Sequence, residues 1–192
     1  MKTKTLLIVI LSSLTLLGGC ASMLDAVTPG PIKADPSKRS FGTYIDDQNI
    51  ETIVQVNIRK AAPVAKEANI AVHSFNGAVL LIGQVPSAEI REVAGKTARN
   101  EPRVRQVYNE LVVGEKTDFF DRTADNVLQT KINSKLALNR DIESSRVKVI
   151  VENDTAYLMG LLTRVQAEKI TDVVSSTKGI KKVVRAIEYL ED

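Results

Sequence analysis

Downstream of residue 69 the chain alternates apolar and polar residues, turns, runs apolar and then changes to a spacing of three and four, and it does this twice. In the first copy Ile70-Ala-Val72-His73-Ser-Phe75 predicts a strand, Asn76-Gly77 a two-residue turn, and Val79-Leu80-Leu81-Ile82-Gly83 a second strand. Asn-Gly is a strong hairpin signal because both turn residues must take positive φ. At an offset of 77 residues, Val147-Lys-Val149-Ile150-Val151 and Ala156-Tyr157-Leu158-Met159-Gly160 repeat the arrangement around Asn153-Asp154.

A helix should follow each hairpin. Ser87 is placed to cap the first, with Ile90, Val93, Ala94 and either Thr97 or Ala98 on its inner face. Thr163-Arg-Val-Gln166 reads as a capping box for the second, with Ile170, Val173, Val174 and Thr177 inward. Closing strands are expected over Val104 to Val113 and Ile180 to Tyr189, and amphipathic helices before the hairpins over Gln48 to Ala61 and Asp125 to Leu138. The expected fold class is α+β: two tandem α-β-β-α-β units, each a three-stranded mixed sheet with two helices on one face. A right-handed β-α-β crossover would set the last strand parallel to the second. The expected boundaries are 46–114 and 123–191 for the two units, with a linker at 115–122.

The segment before the first unit reads differently. Lys2 and Lys4 precede an apolar run from Thr5 to Leu17, too short to span a bilayer but suited to a secretory signal over residues 1–19. It ends in Leu17-Gly18-Gly19-Cys20, which resembles the lipobox of bacterial lipoproteins. That resemblance implies cleavage before Cys20, diacylation of its thiol and acylation of the new amine. Ala21, where an Asp would imply inner-membrane retention, implies sorting to the outer membrane. Residues 20–45, with Pro29, Gly30, Pro31 and Pro36, read as the lipidated cysteine and a flexible tether.

The doubled unit, with Gly83 and Gly160 at corresponding strand positions, resembles BON domains, and the whole chain resembles the dual-BON-domain outer-membrane lipoproteins of Gram-negative bacteria. The resemblance implies a periplasm-facing protein that binds membrane and supports outer-membrane integrity and stress resistance, and not an enzyme.

Composition narrows the chemistry. With 26 Lys and Arg against 23 Asp and Glu, the charge of +3 lacks the basic excess of a nucleic-acid binder. One Cys and one His exclude a four-ligand structural zinc site, and no metal, cofactor or small-molecule substrate is expected. His73 reads as a partly buried strand residue, not a base or ligand. Asp46-Asp47 reads as N-terminal capping of the first helix. Glu89 and Glu92, three apart on a helix, read as partners for neighbouring bases and not as a catalytic carboxylate pair. Lys178, Lys181, Lys182 and Arg185 read as a charged strand edge, with a second head-group site as the alternative. Phe119-Phe120 reads as a wedge between the repeats, against a membrane anchor.

The two leading helices differ on a helical wheel. Gln48–Ala61 has one apolar face, with Ile50, Ile53, Val54, Ile58 and Ala61, opposite Glu51, Gln55 and Arg59. In Asp125–Leu138 the core stripe is Leu128, Ile132 and Leu136, while Val127 and Leu138 fall about 120° away with Lys131 and Lys135 between. Apolar residues beside lysines suit an interfacial contact with anionic phospholipid. The expected phospholipid site is therefore Val127, Leu128, Lys131, Lys135 and Leu138. Where relatives carry a large aromatic near the start of this helix the chain has Val127, which implies shallower insertion. The competing reading packs Val127 and Leu138 against the first repeat or the Phe119-Phe120 pair, and the rival function is a tethered adaptor whose repeats bind a protein such as envelope-assembly machinery.

Overall fold

The computed structural model describes residues 39–66, 68–114 and 119–190. Cys20, the signal segment and the tether as far as residue 38 lie outside the described residues, as do the side chains of Phe119 and Phe120.

Each copy folds in the order α-β-β-α-β. The first comprises α1 (Phe41–Ala61), β1 (Asn69–Phe75), β2 (Ala78–Val85), α2 (Ala88–Arg99), and a third strand broken into β3 (Gln106–Asn109) and β4 (Val112–Val113). The second comprises α3 (Phe119–Leu138), β5 (Val147–Glu152), β6 (Thr155–Leu162), α4 (Arg164–Ser175) and β7 (Lys182–Tyr189). Both are α+β units with a mixed sheet: the hairpin pair is antiparallel, and the last strand runs parallel to the central one. The break between β3 and β4 lets Leu111 turn inward, where it is buried against the helices.

The local chemistry accounts for these elements. Asn76 and Gly77 take φ of 53° and 76°, and Asn153 and Asp154 take 50° and 57°, so both hairpins close through doubly left-handed turns. The Ser87 hydroxyl accepts from Ile90 N, and Thr163 with Gln166 forms both halves of a capping box. At Gly83, φ is +114° and a Cβ would sit 1.8 Å from the Asn69 carbonyl oxygen; at Gly160 a Cβ would lie 2.6 Å from that of Arg146. Neither position admits a side chain, because the neighbouring strand start runs against it.

Two helices start earlier than the hydrophobic spacing predicts. Ser40, in extended conformation, accepts from Thr43 N and caps α1 at Phe41, so residues 41–44 belong to a helix and not to a tether. In the same way α3 includes Phe119-Phe120 from the expected linker. The added turn of α1 changes its outer side. Phe41, Ile45 and Val56 are exposed at helical spacing, with Arg59 continuing the line, so this helix carries an apolar stripe opposite its core face. Ala61, expected on the core face, is exposed.

The repeats pack on one another through their sheets. Val79, Leu81 and Val85 of β2 face α1 and α2, whereas Leu80 and Ile82 face away; in β6, Ala156, Leu158 and Leu162 face α3 and α4, whereas Tyr157, Met159 and Leu161 face away. The residues facing away form one shared core with Phe75, Ile150 and Ala186. The layers are therefore helix, sheet, sheet, helix. Polar bonds edge this core: Arg105 holds Glu188 at 2.9 and 2.6 Å and the Asn76 carbonyl at 2.8 Å, Lys148 holds Glu51 at 2.7 Å, and Asn69 reaches Glu152 at 3.2 Å.

Candidate functional site

The outer side of α3 is where the predicted site residues fall, and the structure divides them. Val127 and Leu138 are 64% and 82% exposed. Lys131 lies between them along the helix, exposed, with no hydrogen bond or ion pair among the described residues. Val127, Lys131 and Leu138 are spaced by four and seven residues, so they form one stripe about 16 Å long. A shallow groove of about 420 Å³ runs beside it, lined by Thr123, Asn126, Val127, Thr130 and Lys131.

Leu128 and Lys135 do not belong to that stripe. Leu128 packs into the core of the second repeat and covers Gly179, where a Cβ would come within 2.6 Å of it. The Lys135 ammonium donates to Thr177 Oγ1 at 3.0 Å and is half-buried. The helix rotates both toward the sheet, because they flank the Ile132–Leu136 core line closely enough to be covered with it. The outward-facing set is thus Val127, Lys131 and Leu138.

Two aspartates play a part that the sequence reading missed. Asp47 is fully buried and caps no helix: it accepts from Ser74 Oγ at 2.7 Å, Asn76 N at 2.8 Å and Gly77 N at 2.9 Å, and pairs with Arg39 at 2.8 Å. Asp125 does the same in the second copy, accepting from Asn153 N at 2.8 Å and Asp154 N at 3.2 Å. A turn with two left-handed residues points its N–H groups to one side, and a carboxylate one helix away satisfies them. The signal was present in the repeat: Asp47 and Asp125 recur at an offset of 78, and so do Glu51 and Gln129, which accept from Ser74 N and Val151 N.

His73 lies where the repeats meet. It faces a cleft of about 590 Å³ shared by both copies, beside Lys148. Burial, reinforced by the Lys148 charge and only partly opposed by Glu51, lowers its pKa to about 4, so the imidazole is neutral at physiological pH. The adjacent Ser74 hydroxyl is bonded to a carboxylate, not to an imidazole, which is not the arrangement of an activated nucleophile. Among the described residues no three His, Cys, Asp or Glu side chains gather as a metal site, and no helix is long and apolar enough to cross a membrane. In the basic stretch Lys181 is paired with Asp154 at 2.7 Å, while Lys182 and Arg185 are exposed.

A doubled α-β-β-α-β unit with back-to-back sheets and clasped hairpins defines a class. Residues 46–115 and 124–191 each match the BON domain model, and the chain belongs to the BON-domain family. It is 34% identical over 185 residues, 96% of each chain, to the outer membrane lipoprotein DolP of Haemophilus influenzae. It is 38% identical over 153 residues, 80% of this chain and 79% of the other, to a 21 kDa hemolysin of Actinobacillus pleuropneumoniae. Among solved structures it is similar to the C-terminal domain of CdsD, a structural protein of the type III secretion system of Chlamydia trachomatis. That likeness has a TM-score of 0.30 and 16% identity over 76% of this chain and 67% of that one.

Proposed function

We propose that this protein is a lipid-anchored component of the outer membrane, facing the periplasm, whose second BON domain docks on anionic phospholipid and supports the membrane barrier. The single observation that carries the docking face is the stripe of α3 on which two largely exposed apolar side chains flank a lysine that has no ion pair among the described residues. A bilayer boundary supplies what each lacks: a place out of water for Val127 and Leu138, and phosphate for Lys131. Acylation at Cys20 is proposed from the lipobox alone, and the outer-membrane location from that motif and the lipoprotein relative. The anchor raises the local concentration of the docking face, so a weak contact suffices.

The test is vesicle co-sedimentation of residues 20–192 bearing Cys20→Ser, with neutral and phosphatidylglycerol-containing vesicles. The parent should bind the anionic vesicles only. Lys131→Glu should weaken that binding by about 2 kcal/mol, from one lost attraction and one added repulsion of about 1 kcal/mol each. Lys135→Glu, at a lysine already bonded to Thr177, should act chiefly on stability. Absence of binding in the parent would favour the adaptor reading, with envelope-assembly proteins as partners.

A further inference from the structure

One cleft lined by described residues belongs to neither repeat alone. β1 brings His73 to it, the segment before α1 brings Arg39, α3 brings Asn133, and the short 3-10 turn Ser144–Arg146 with β5 brings Ser144, Ser145 and Lys148. Its volume of about 590 Å³ lies within the usual range for small-ligand sites. Among the described residues no acidic side chain lines it. Its cations are each paired with a carboxylate outside the lining, Arg39 with Asp47 and Lys148 with Glu51, and both carboxylates also accept from main-chain N–H groups of β1 and its turn.

The free hydrogen-bonding capacity of the cleft is mostly that of donors. Lys148 Nζ uses two of its three protons, one on Glu51 at 2.7 Å and one on the Ser74 carbonyl at 3.4 Å. Neither imidazole nitrogen of His73 has a partner among the described residues, nor do the hydroxyls of Ser144 and Ser145 or the amide of Asn133. A half-buried ring and a half-buried ammonium that keeps one proton beyond its Glu51 and Ser74 bonds suit an acceptor-rich ligand.

We propose that this cleft is an oxyanion site, taking a phosphate group between the Lys148 ammonium, the His73 imidazole and the hydroxyls of Ser144 and Ser145. It is separate from the α3 stripe and does not depend on it. The phosphate could be carried by a soluble ester or by a lipid head group, and the two sources are distinguishable.

His73 is the sole histidine, so its imidazole proton resonance reports on the cleft without interference. The full chain, in micelles of a nonionic detergent, is titrated with acid in chloride and in inorganic phosphate at matched ionic strength. A bound anion favours the imidazolium against the opposing Lys148 and Arg39 charges and adds to the Glu51 and Asp47 carboxylates already near them. The His73 midpoint should therefore rise by about one unit and saturate with phosphate. Lys148→Met should raise the midpoint in chloride and abolish the response to phosphate. Should that variant fold poorly, Ser144→Ala with Ser145→Ala, at two exposed positions, should move saturation to several-fold higher phosphate while leaving the chloride midpoint in place. Equal midpoints in phosphate and chloride, or a serine variant that saturates like the parent, overturns the proposal. Doping the micelles with phosphatidylglycerol separates the sources. The same displacement, competed by phosphate, assigns a lipid head group; no displacement assigns a soluble ester. Displacement by lipid without displacement by phosphate overturns the site.

Discussion

Replacing Val127 and Leu138 together by serine removes the apolar part of the proposed docking face and leaves its charge. Fully burying a valine or leucine side chain is worth about 1.5–3 kcal/mol. Weighted by exposures of 64% and 82%, insertion could return about 1 kcal/mol from Val127 and about 2 from Leu138. The double variant should therefore partition into phosphatidylglycerol vesicles about a hundredfold less well, or about tenfold if boundary water still reaches half of that surface. Since both side chains already stand in water, urea unfolding should move by no more than about 0.5 kcal/mol. Val112 is a control: it is 59% exposed, but on β4 of the first repeat, and Val112→Ser should bind vesicles like the parent. Co-sedimentation over a lipid series measures all three. Unchanged binding in the double variant, or an equal loss in Val112→Ser, would refute docking through α3.

Two further outcomes concern the frame that holds these sites. Asp47→Ala strands Ser74 Oγ, two turn N–H groups and the Arg39 guanidinium in a buried place, and should cost about 3–5 kcal/mol in urea unfolding; Asp125→Ala strands two N–H groups and should cost clearly less. His73 is held neutral in the folded state, with a pKa near 4 against 6.5 unfolded, so its contribution is complete above about pH 6.5 and is lost as the pH falls toward 4. Up to about 3 kcal/mol should disappear over that window. His73→Gln should flatten that part of the stability profile, and identical profiles for parent and variant would contradict the assignment.

What could be read from the residues was the part encoded locally. Asn76-Gly77, the Thr163–Gln166 box and the repeat itself each act within a few residues, and each appears as expected. What could not be read lay in contacts between distant segments. Lys135 looked free on a wheel, but Thr177, from the loop after α4, takes its ammonium. Asp47 sat where a capping residue would, yet its partners are in a turn about thirty positions on. The outer stripe of α1 was hidden because its first turn has no core face to betray it: Phe41, Tyr44 and Ile45 are all exposed, so periodicity cannot separate that turn from a tether. The cleft at His73 exists only because two copies meet.

The packing of the sheets also decides where a membrane can sit. Each sheet gives one face to its own helices and the other to its twin, so among the described residues neither sheet keeps a broad open face. Exposed apolar stripes are left to the two helical layers, which lie on opposite sides of the paired sheets. A flat bilayer can engage only one layer at a time. If α3 docks, then Phe41 and Ile45 on α1, although Phe41 is as exposed as Leu138, stand on the side turned away. Phe41→Ser with Ile45→Ser should then leave vesicle partition within about twofold of the parent, against about tenfold to a hundredfold for the pair on α3. A loss of equal size from both pairs would mean that the helical layers are not opposed in the membrane-bound protein, and the one-sided docking of the second repeat would have to be abandoned.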